Sequence, residues 1–398
     1  MLSYQEAFEK IIENSLPLKA TRVPLRESMG LTAAQDIVSP EPFPRFDNSA
    51  VDGYAVSKIE SPEKTLKVQA EIPAGEVLKG HLKIGHAVQI FTGAPLPRGT
   101  WAVVMQEETQ RANGTLRILK TPKRGENIRF RGEDFQEGRV LARKGTFLQA
   151  THLALLAAVG HTEVLVQPSP RIAILATGSE LSDVKGRLRP GKIRDSNTLF
   201  LEMLVRQAGG MPFPLPSVGD IPRNIRAAVR KGLQSDLFII SGGVSVGKYD
   251  FVKEALEEEG VKEIFWKVNI KPGKPIFFGK KKRTLVFGLP GNPVSVFVTF
   301  EEFVKPAILR MLRRSPAPES WIQGNLTEGF QNGNRLHFIR VRCWSGKSGY
   351  KILPLRGQGS HQIGELATAN ALLRVDPNTV LKKGERVSVK MINKEFLS

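Results

Sequence analysis

Apolar and polar positions follow two different periods along this chain. In "SYQEAFEKIIEN", Ala7, Phe8, Ile11 and Ile12 recur at helical spacing on one face. Ser3 and Glu6 precede that stripe with the spacing of a capping box, so a helix is expected to start after Ser3. A second helix is expected in "TFLQATHLALLAAVG", closed by Gly160. Between residues 45 and 138 the pattern changes to short apolar runs separated by turns such as "GAPLPRG" and "ANGTL", which predicts a small β domain.

From residue 169 to 314 the two periods interleave. "RIAILAT", "DLFII" and "TLVFGLP" are unbroken apolar runs, as expected of strands buried on both faces. Helical patterns separate them: "SNTLFLEMLVRQAGG", "DFVKEALEEEG" and "NPVSVFVTFEEFVKPAILRMLRR". This alternation predicts a doubly wound sheet of parallel strands. Residues 315–398 return to strand texture in "RLHFIRVRCW", "YKILPL", "ALLRVD" and "RVSVKMI", a C-terminal β domain. Residues 1–44 end in the proline-rich "SPEPFPRF", and residues 139–168 are expected to pack back on that N-terminal region.

Composition narrows the class. The 398 residues suffice for several domains. No apolar run reaches the ~18 residues of a membrane span, and the first residues carry no signal-peptide pattern, so a cytoplasmic address and no membrane partner are expected. Cys343 is the only cysteine, which excludes an intramolecular disulfide and a cysteine-based metal site, and a buried, inert thiol is expected. Lys+Arg number 58 against 39 Asp+Glu, a net charge of +19, which favours an anionic partner. The basic residues are dispersed and no zinc finger, RNA-binding aromatic signature or basic zipper accompanies them, so nucleic acid is not the expected partner. "KKKR" at Lys280–Arg283 reads as a solvated hairpin turn or as a binding patch.

In doubly wound sheets, ligands bind beyond the carboxyl ends of the strands. Three unusual segments fall there: "ATGSEL", "SGGVSVGKYD" and "LPGNP". In the second, the amides of Gly242 and Gly243, with Ser241 and Ser245, suit phosphate oxygens. In the third, Pro290 and Gly291 lead to Asn292, placed to cap a helix whose first residue is Pro293, leaving free amides for an anion. Glu180, Asp220 and Asp250 share that edge; Asp250 reads as a helix cap or as a Mg²⁺ ligand, and Glu180 as a ligand or a solvated loop residue. In "WKVNIKPGKPIFFG", strand geometry would put Lys267 and Lys271 on one face, and Pro272, Gly273 and Pro275 stiffen the turn that presents Lys274. Asp47, Asn48, Ser49 and Asp52 suit a turn with side-chain-to-backbone bonds, while Thr92 and Asp134 carry no local signal.

Taken together and in order, "FDNSAVDGYAV", "FTGAPLP", "AVVMQEET", "IRFRGEDF", "ATGSEL", "GKIRDSN", "SGGVSVGKYD", "FWKVNIKPGKPIFFG", "LPGNPVSVFVTFE" and "GQGSHQ" resemble the molybdopterin molybdotransferase (MoeA) family, which includes the E domain of gephyrin. The resemblance runs from the first helix to about residue 370. It implies a multidomain α/β plus β fold. Its parts would be a mixed N-terminal domain (1–44 and 139–168), a small β domain (45–138), a doubly wound molybdopterin-binding α/β domain (169–314) and a C-terminal β barrel (315–398).

The same resemblance implies a homodimer whose active site combines the α/β and C-terminal domains of one subunit with the β domain of its partner. It implies a reaction in which adenylylated molybdopterin and molybdate give molybdenum cofactor and AMP with Mg²⁺. Carried over motif by motif, functional positions fall on Asp52, Thr92, Asp134, Glu180, Asp220, Asp250, Lys267 and Lys271. The molybdate group falls on Lys271, Lys274, Arg340 and Ser360, with Arg335 and Arg342 as neighbouring alternatives to Arg340. Lys248 stands where relatives often carry an acid. A molybdopterin adenylyltransferase and a non-catalytic scaffold of the same fold are the alternative readings.

Overall fold

The computed structural model describes residues 1–59, 65–73, 75–185, 187–243, 251–314, 321–347 and 349–393. The chain forms two compact units. One comprises Met1–Arg22, Gly30–Ala34 and Leu165–Ser398, the other Val23–Met29 and Gln35–Val164. The first unit opens with α1, Tyr4–Asn14, and the capping box is present: Ser3 N donates to Glu6 Oε2 at 2.8 Å and Glu6 N donates to Ser3 Oγ at 3.3 Å. Ala7 and Ile11 are fully buried, with Phe8 partly buried against the same core.

The second unit is built on a six-stranded mixed sheet. Its strands are β1 (Gly53–Val56), β2 (Leu66–Ile72), β3 (His86–Ile90), β4 (Ala102–Met105), β5 (Thr109–Ala112) and β6 (Thr115–Ile118), in the order β4-β1-β3-β2-β6-β5. Alternation sends Tyr54 and Val56 to one apolar cluster and Ala55 to another, so both faces are covered. Gly53 is required by close approach, since a Cβ there would lie 2.0 Å from the Val104 carbonyl oxygen. Helix α2 spans Ala150–Ala158, starting later than the apolar pattern suggests, because Gln149 takes the cap position and its amide donates to His152 Nδ1 at 3.2 Å. Gly160 follows the helix at φ +82°.

In the first unit, β7 (Arg171–Ala176), β8 (Met211–Pro214), β9 (Leu237–Ser241), β10 (Lys262–Trp266), β12 (Phe277–Lys281) and β13 (Thr284–Leu289) form one sheet. Its order is β8-β7-β9-β13-β12-β10. The first four neighbours are parallel as expected; β12 and β10 are antiparallel additions at one edge. The β12–β13 hairpin turns at Lys282, φ +53°, so "KKKR" sits at a hairpin turn.

Ile172, Ile174, Leu237 and Ile239 face one core with α1, α3 (Ser196–Gln207) and α6 (Pro293–Thr299). Ala173, Leu175, Phe238 and Ile240 face the other, with α4 (Pro222–Gly232) and α5 (Phe251–Glu258). The unbroken apolar runs therefore reflect a sheet covered on both sides. The long C-terminal helix is not regular: a π-helical stretch, Phe300–Val304, separates α6 from α7 (Lys305–Met311). Pro306 lies in the first turn of α7 and has no amide to continue the ladder.

The C-terminal strands β14 (Trp321–Leu326), β15 (Leu336–Gly346), β16 (Gly349–Pro354), β17 (Ala371–Val375) and β18 (Arg386–Met391) close into a five-stranded barrel through the β15–β17 pairing. Leu326, Ile339, Val341, Cys343, Ile352 and Val389 fill it. Cys343 is buried, and burial raises its thiol pKa. A two-residue strand, β11 (Ile270–Lys271), leaves the α/β sheet and pairs with β15. Tyr4 and Lys390 both bond the buried Glu302, at 2.9 and 2.8 Å, joining α1, the π turn and β18. Among the described residues no helix is long and apolar enough to cross a membrane.

Candidate active site

Parallel register brings three strand ends level: Ala176 pairs with Ser241, and Ser241 with Leu289. The loops leaving these positions enclose a cavity of about 350 Å³ lined by Glu180, Ser241, Gly242, Gly243 and the run Pro290–Pro293. The N-terminal end of α3 forms another wall with Arg194, Asp195, Ser196 and Asn197. Asp195 caps α3, its Oδ1 accepting from Thr198 N at 3.1 Å and its Oδ2 from Thr198 Oγ1 at 2.6 Å.

Both glycines are dictated by space as well as by their positive φ values of 90° and 65°. A Cβ on Gly242 would lie 2.4 Å from Thr177 O, and one on Gly243 2.7 Å from Thr177 Oγ1. Their amides are not equivalent. Gly242 N donates to Leu289 O at 3.1 Å, completing the sheet, so it is not available to a ligand as the sequence suggested. The amides of Gly243, Gly291 and Asn292 have no protein acceptor among the described residues.

Asn292 occupies the cap position but makes no side-chain cap bond. Its Nδ2 instead donates to Ser360 Oγ at 2.9 Å, and Val294 N donates to Ser360 O at 3.1 Å. The barrel's "GQGSHQ" loop thus takes up the first amide of α6 that proline leaves available, correcting the expectation of a bare helix end. Through these bonds Ser360 sits directly behind the third loop.

Arg340 is fully buried, with Nη2 donating to the carbonyls of Gly357 and, at 3.2 Å, Gly359. Its Nε and Nη1 have no partner among the described residues, and burial, opposed by the charge of Glu365, lowers its pKa. Lys271 and Lys274 are exposed, and Pro275 lines the cavity. Lys267 does not share a strand face with Lys271: its φ of +75° breaks the chain between β10 and β11, and its Nζ lies over the Trp266 ring at 5.2 Å. Asp220 faces the loop after β7, its Oδ2 accepting from Ser179 N while its own backbone amide donates to Ser179 Oγ, both at 3.0 Å. Ser245, Lys248 and Asp250 lie outside the described residues.

In the other unit, Asp52 Oδ1 accepts from Thr92 N and Thr92 Oγ1, both at 2.7 Å. The Thr92 backbone bond, then its hydroxyl, lowers the Asp52 pKa. The surrounding turn has local side-chain-to-backbone bonds, Ser49 Oγ to Val51 O at 2.6 Å and Asn48 Nδ2 to Phe46 O at 3.1 Å, whereas Asp47 Oδ1 accepts from the distant Arg131 N at 2.7 Å. Asp134 is exposed at the end of "RGED".

Three family models match the chain in succession. The MoeA N-terminal region (domains I and II) matches residues 2–160, a probable molybdopterin binding domain 173–310, and the MoeA C-terminal region (domain IV) 323–392. A molybdopterin molybdenumtransferase from Haemophilus influenzae is 35% identical over 407 residues, covering 99% of this chain and 99% of that protein. The chain belongs to the MoeA family. A second molybdopterin molybdenumtransferase, from Nostoc sp., is 42% identical over 300 residues, covering 73% of this chain and 69% of its own. A crystal structure of a molybdopterin biosynthesis MoeA protein from Pyrococcus horikosii superposes with a TM-score of 0.84 at 31% identity, covering 98% of this chain and 99% of that one.

Sequence reasoning about this MoeA chain overlooked four groups. Thr177, Arg194 and Asn197 line the cavity, yet "GKIRDSN" reads locally as no more than a helix start. His337 pairs in register with Lys271, is 2% exposed, and has no partner at Nε2. Burial, then the charges of Lys271, Arg340 and Arg335, depress its pKa to about 4. An isolated histidine in a strand gives no sequence signal of such a neighbourhood.

Proposed function

We propose that this chain is the transferase that inserts molybdenum into molybdopterin in molybdenum cofactor biosynthesis. Its substrates would be adenylylated molybdopterin and molybdate, and its products the cofactor and AMP. The observation that carries the reading is the cavity at the level ends of three parallel strands, in a chain whose N-terminal, molybdopterin-binding and C-terminal regions all match MoeA models. Ser241 and the amides of Gly243, Gly291 and Asn292 would hold phosphate oxygens. Arg340 supports an oxyanion subsite, because a buried guanidinium with two unpaired nitrogens is stabilised by an anion. Lys271, Lys274 and Ser360 would complete that subsite, and Lys267 would act beside it.

Magnesium fits the oxygen donors present. Mg²⁺ is commonly held by one or two carboxylates plus substrate phosphates. Glu180 lines the cavity, and Asp220 keeps one carboxylate oxygen without a protein donor among the described residues. These two, with Asp250, would hold the ion, which supplies charge neutralisation on a departing phosphate. Among the described residues no cluster of three or more His, Cys, Asp or Glu is placed to hold a metal ion by itself.

The four-domain division, the homodimer and the cytoplasmic address belong to the same proposal. In the dimer, Asp52, Thr92 and Asp134 of one subunit would face the α/β cavity of the other. The test is incubation of the purified protein with adenylylated molybdopterin, Mg²⁺ and molybdate, following AMP. Molybdate-dependent AMP release with cofactor formation is expected; no release above a heat-inactivated control would sink the reading. Mixing an Asp52→Ala chain with an Arg340→Ala chain, with subunit exchange, should restore part of the activity if the site is composite.

A further inference from the structure

Asn197, the second residue of α3, spans two of the loops that frame the cavity. Its Nδ2 donates to Gly291 O at 2.7 Å and to Ser241 Oγ at 3.1 Å. We propose that Asn197 is a positioning residue: it ties the Ser241 loop to the Gly291 loop and turns the Ser241 hydroxyl into a donor toward an anionic oxygen of the ligand. The proposal rests on the anion-binding reading of this cavity.

The argument is one of hydrogens. A backbone carbonyl only accepts, so Gly291 O fixes which end of the Asn197 amide faces it. The amide nitrogen has a second hydrogen, and Ser241 Oγ receives it. A hydroxyl has one hydrogen and two lone pairs. With a lone pair of Ser241 committed to Asn197, its hydrogen must point elsewhere. Among the described residues it has no acceptor, and Ser241 lines the cavity at 3% exposure. An oxygen of a phosphate or other oxyanion is the group that accepts there.

The same orientation leaves Asn197 Oδ1 buried without a partner. An unpaired buried acceptor is unfavourable to stability. Reversing the amide would oppose it to Gly291 O, so the strain follows from the clamp itself. Such a local cost without structural gain is characteristic of a functional position.

The experiment uses the full chain and two probes, AMP and inorganic pyrophosphate, with binding followed by calorimetry and melting temperature recorded in parallel. Asn197→Asp replaces both donors with acceptors, opposes Gly291 O and draws the Ser241 hydrogen away from the cavity. It should weaken probe binding about tenfold to a hundredfold. Asn197→Ala, which introduces no repulsion, keeps the test open if the Asp variant fails to fold. Ser241→Ala should weaken binding by a similar factor to Asn197→Ala. The combined Asn197→Ala/Ser241→Ala variant should be no weaker than the poorer single variant within about twofold, because one residue acts through the other. Multiplying effects, or unchanged probe binding in a folded Asn197 variant, would overturn the proposal, as would wild-type protein that binds neither probe. Binding with the expected coupling but no AMP release from adenylylated molybdopterin would support it while counting against the transferase reading.

Discussion

At the end of the parallel sheet, the cavity is shaped by backbone: Gly242 and Gly243 adopt positive φ values, and the Gly243 amide has no protein acceptor among the described residues. The barrel instead carries a side chain, Arg340, fully buried and half unpaired among the described residues. The first region places no charge out of water, although Thr177 Oγ1 and Asn197 Oδ1 are buried there without a partner among the described residues. The second carries a buried charge that two carbonyls and the charge of Glu365 only partly compensate. Backbone sites impose shape at little expense to stability, whereas a buried cation gives up stability to hold charge in readiness.

Three substitutions sharpen that contrast, beginning with the largest effect. Gly242→Ala should destabilise the fold by about 3 kcal/mol or more and abolish turnover. It combines a strained left-handed residue with a Cβ 2.4 Å from a backbone oxygen. Denaturant titration and AMP release check both outcomes; a stable, active variant would show the loop to be pliable. Arg340→Met should do the opposite to stability, raising it by about 1 kcal/mol, since an apolar chain of similar length replaces a buried guanidinium that lacks a partner at two nitrogens. The molybdate concentration for half-maximal cofactor formation should rise by roughly tenfold to a hundredfold. A variant that loses stability without changing molybdate dependence would make Arg340 structural.

The third substitution concerns His337, whose folded pKa of about 4 lies below the ordinary 6.5. Between those values the unfolded chain binds more protons, so stability rises with pH. The contribution is complete above about 6.5 and is lost as pH falls through the folded value, amounting to about 3 kcal/mol. His337→Phe keeps a ring beside Phe330, 5.7 Å away in the wild type, and removes the titration. Its stability should fall less than the wild type's between pH 6.5 and 4, measured by denaturation at each pH; parallel curves would exclude the role.

The legible part of the site was the part written in local geometry. "SGG" and "LPGNP" each announce a backbone constraint, and strand-and-helix alternation predicts that such loops gather at one sheet edge. The capping box at Ser3 and Glu6 was legible for the same reason, since every bond it makes lies within one turn. Partner choice was not legible. Asn292 looks like a cap and instead bonds Ser360, 68 positions away. Asn197 looks like part of a helix start and bonds Gly291, 94 positions away. Lys267 and Lys271 look like strand neighbours until a positive φ at Lys267 separates them.

Sequence alone determined which segments are strands and helices, which turns demand glycine, and, through ordered motifs, the family. These follow from side-chain period and backbone sterics, which act over a few residues. Tertiary structure decided that Gly242's amide belongs to the sheet and that Ser360 occupies the start of α6. It also decided that Arg340 is buried with two nitrogens lacking a partner among the described residues and that His337 has its pKa depressed beside Lys271. Hydrogen-bond partners and charge environments depend on which atoms exclude water together, and that is fixed only when distant segments pack.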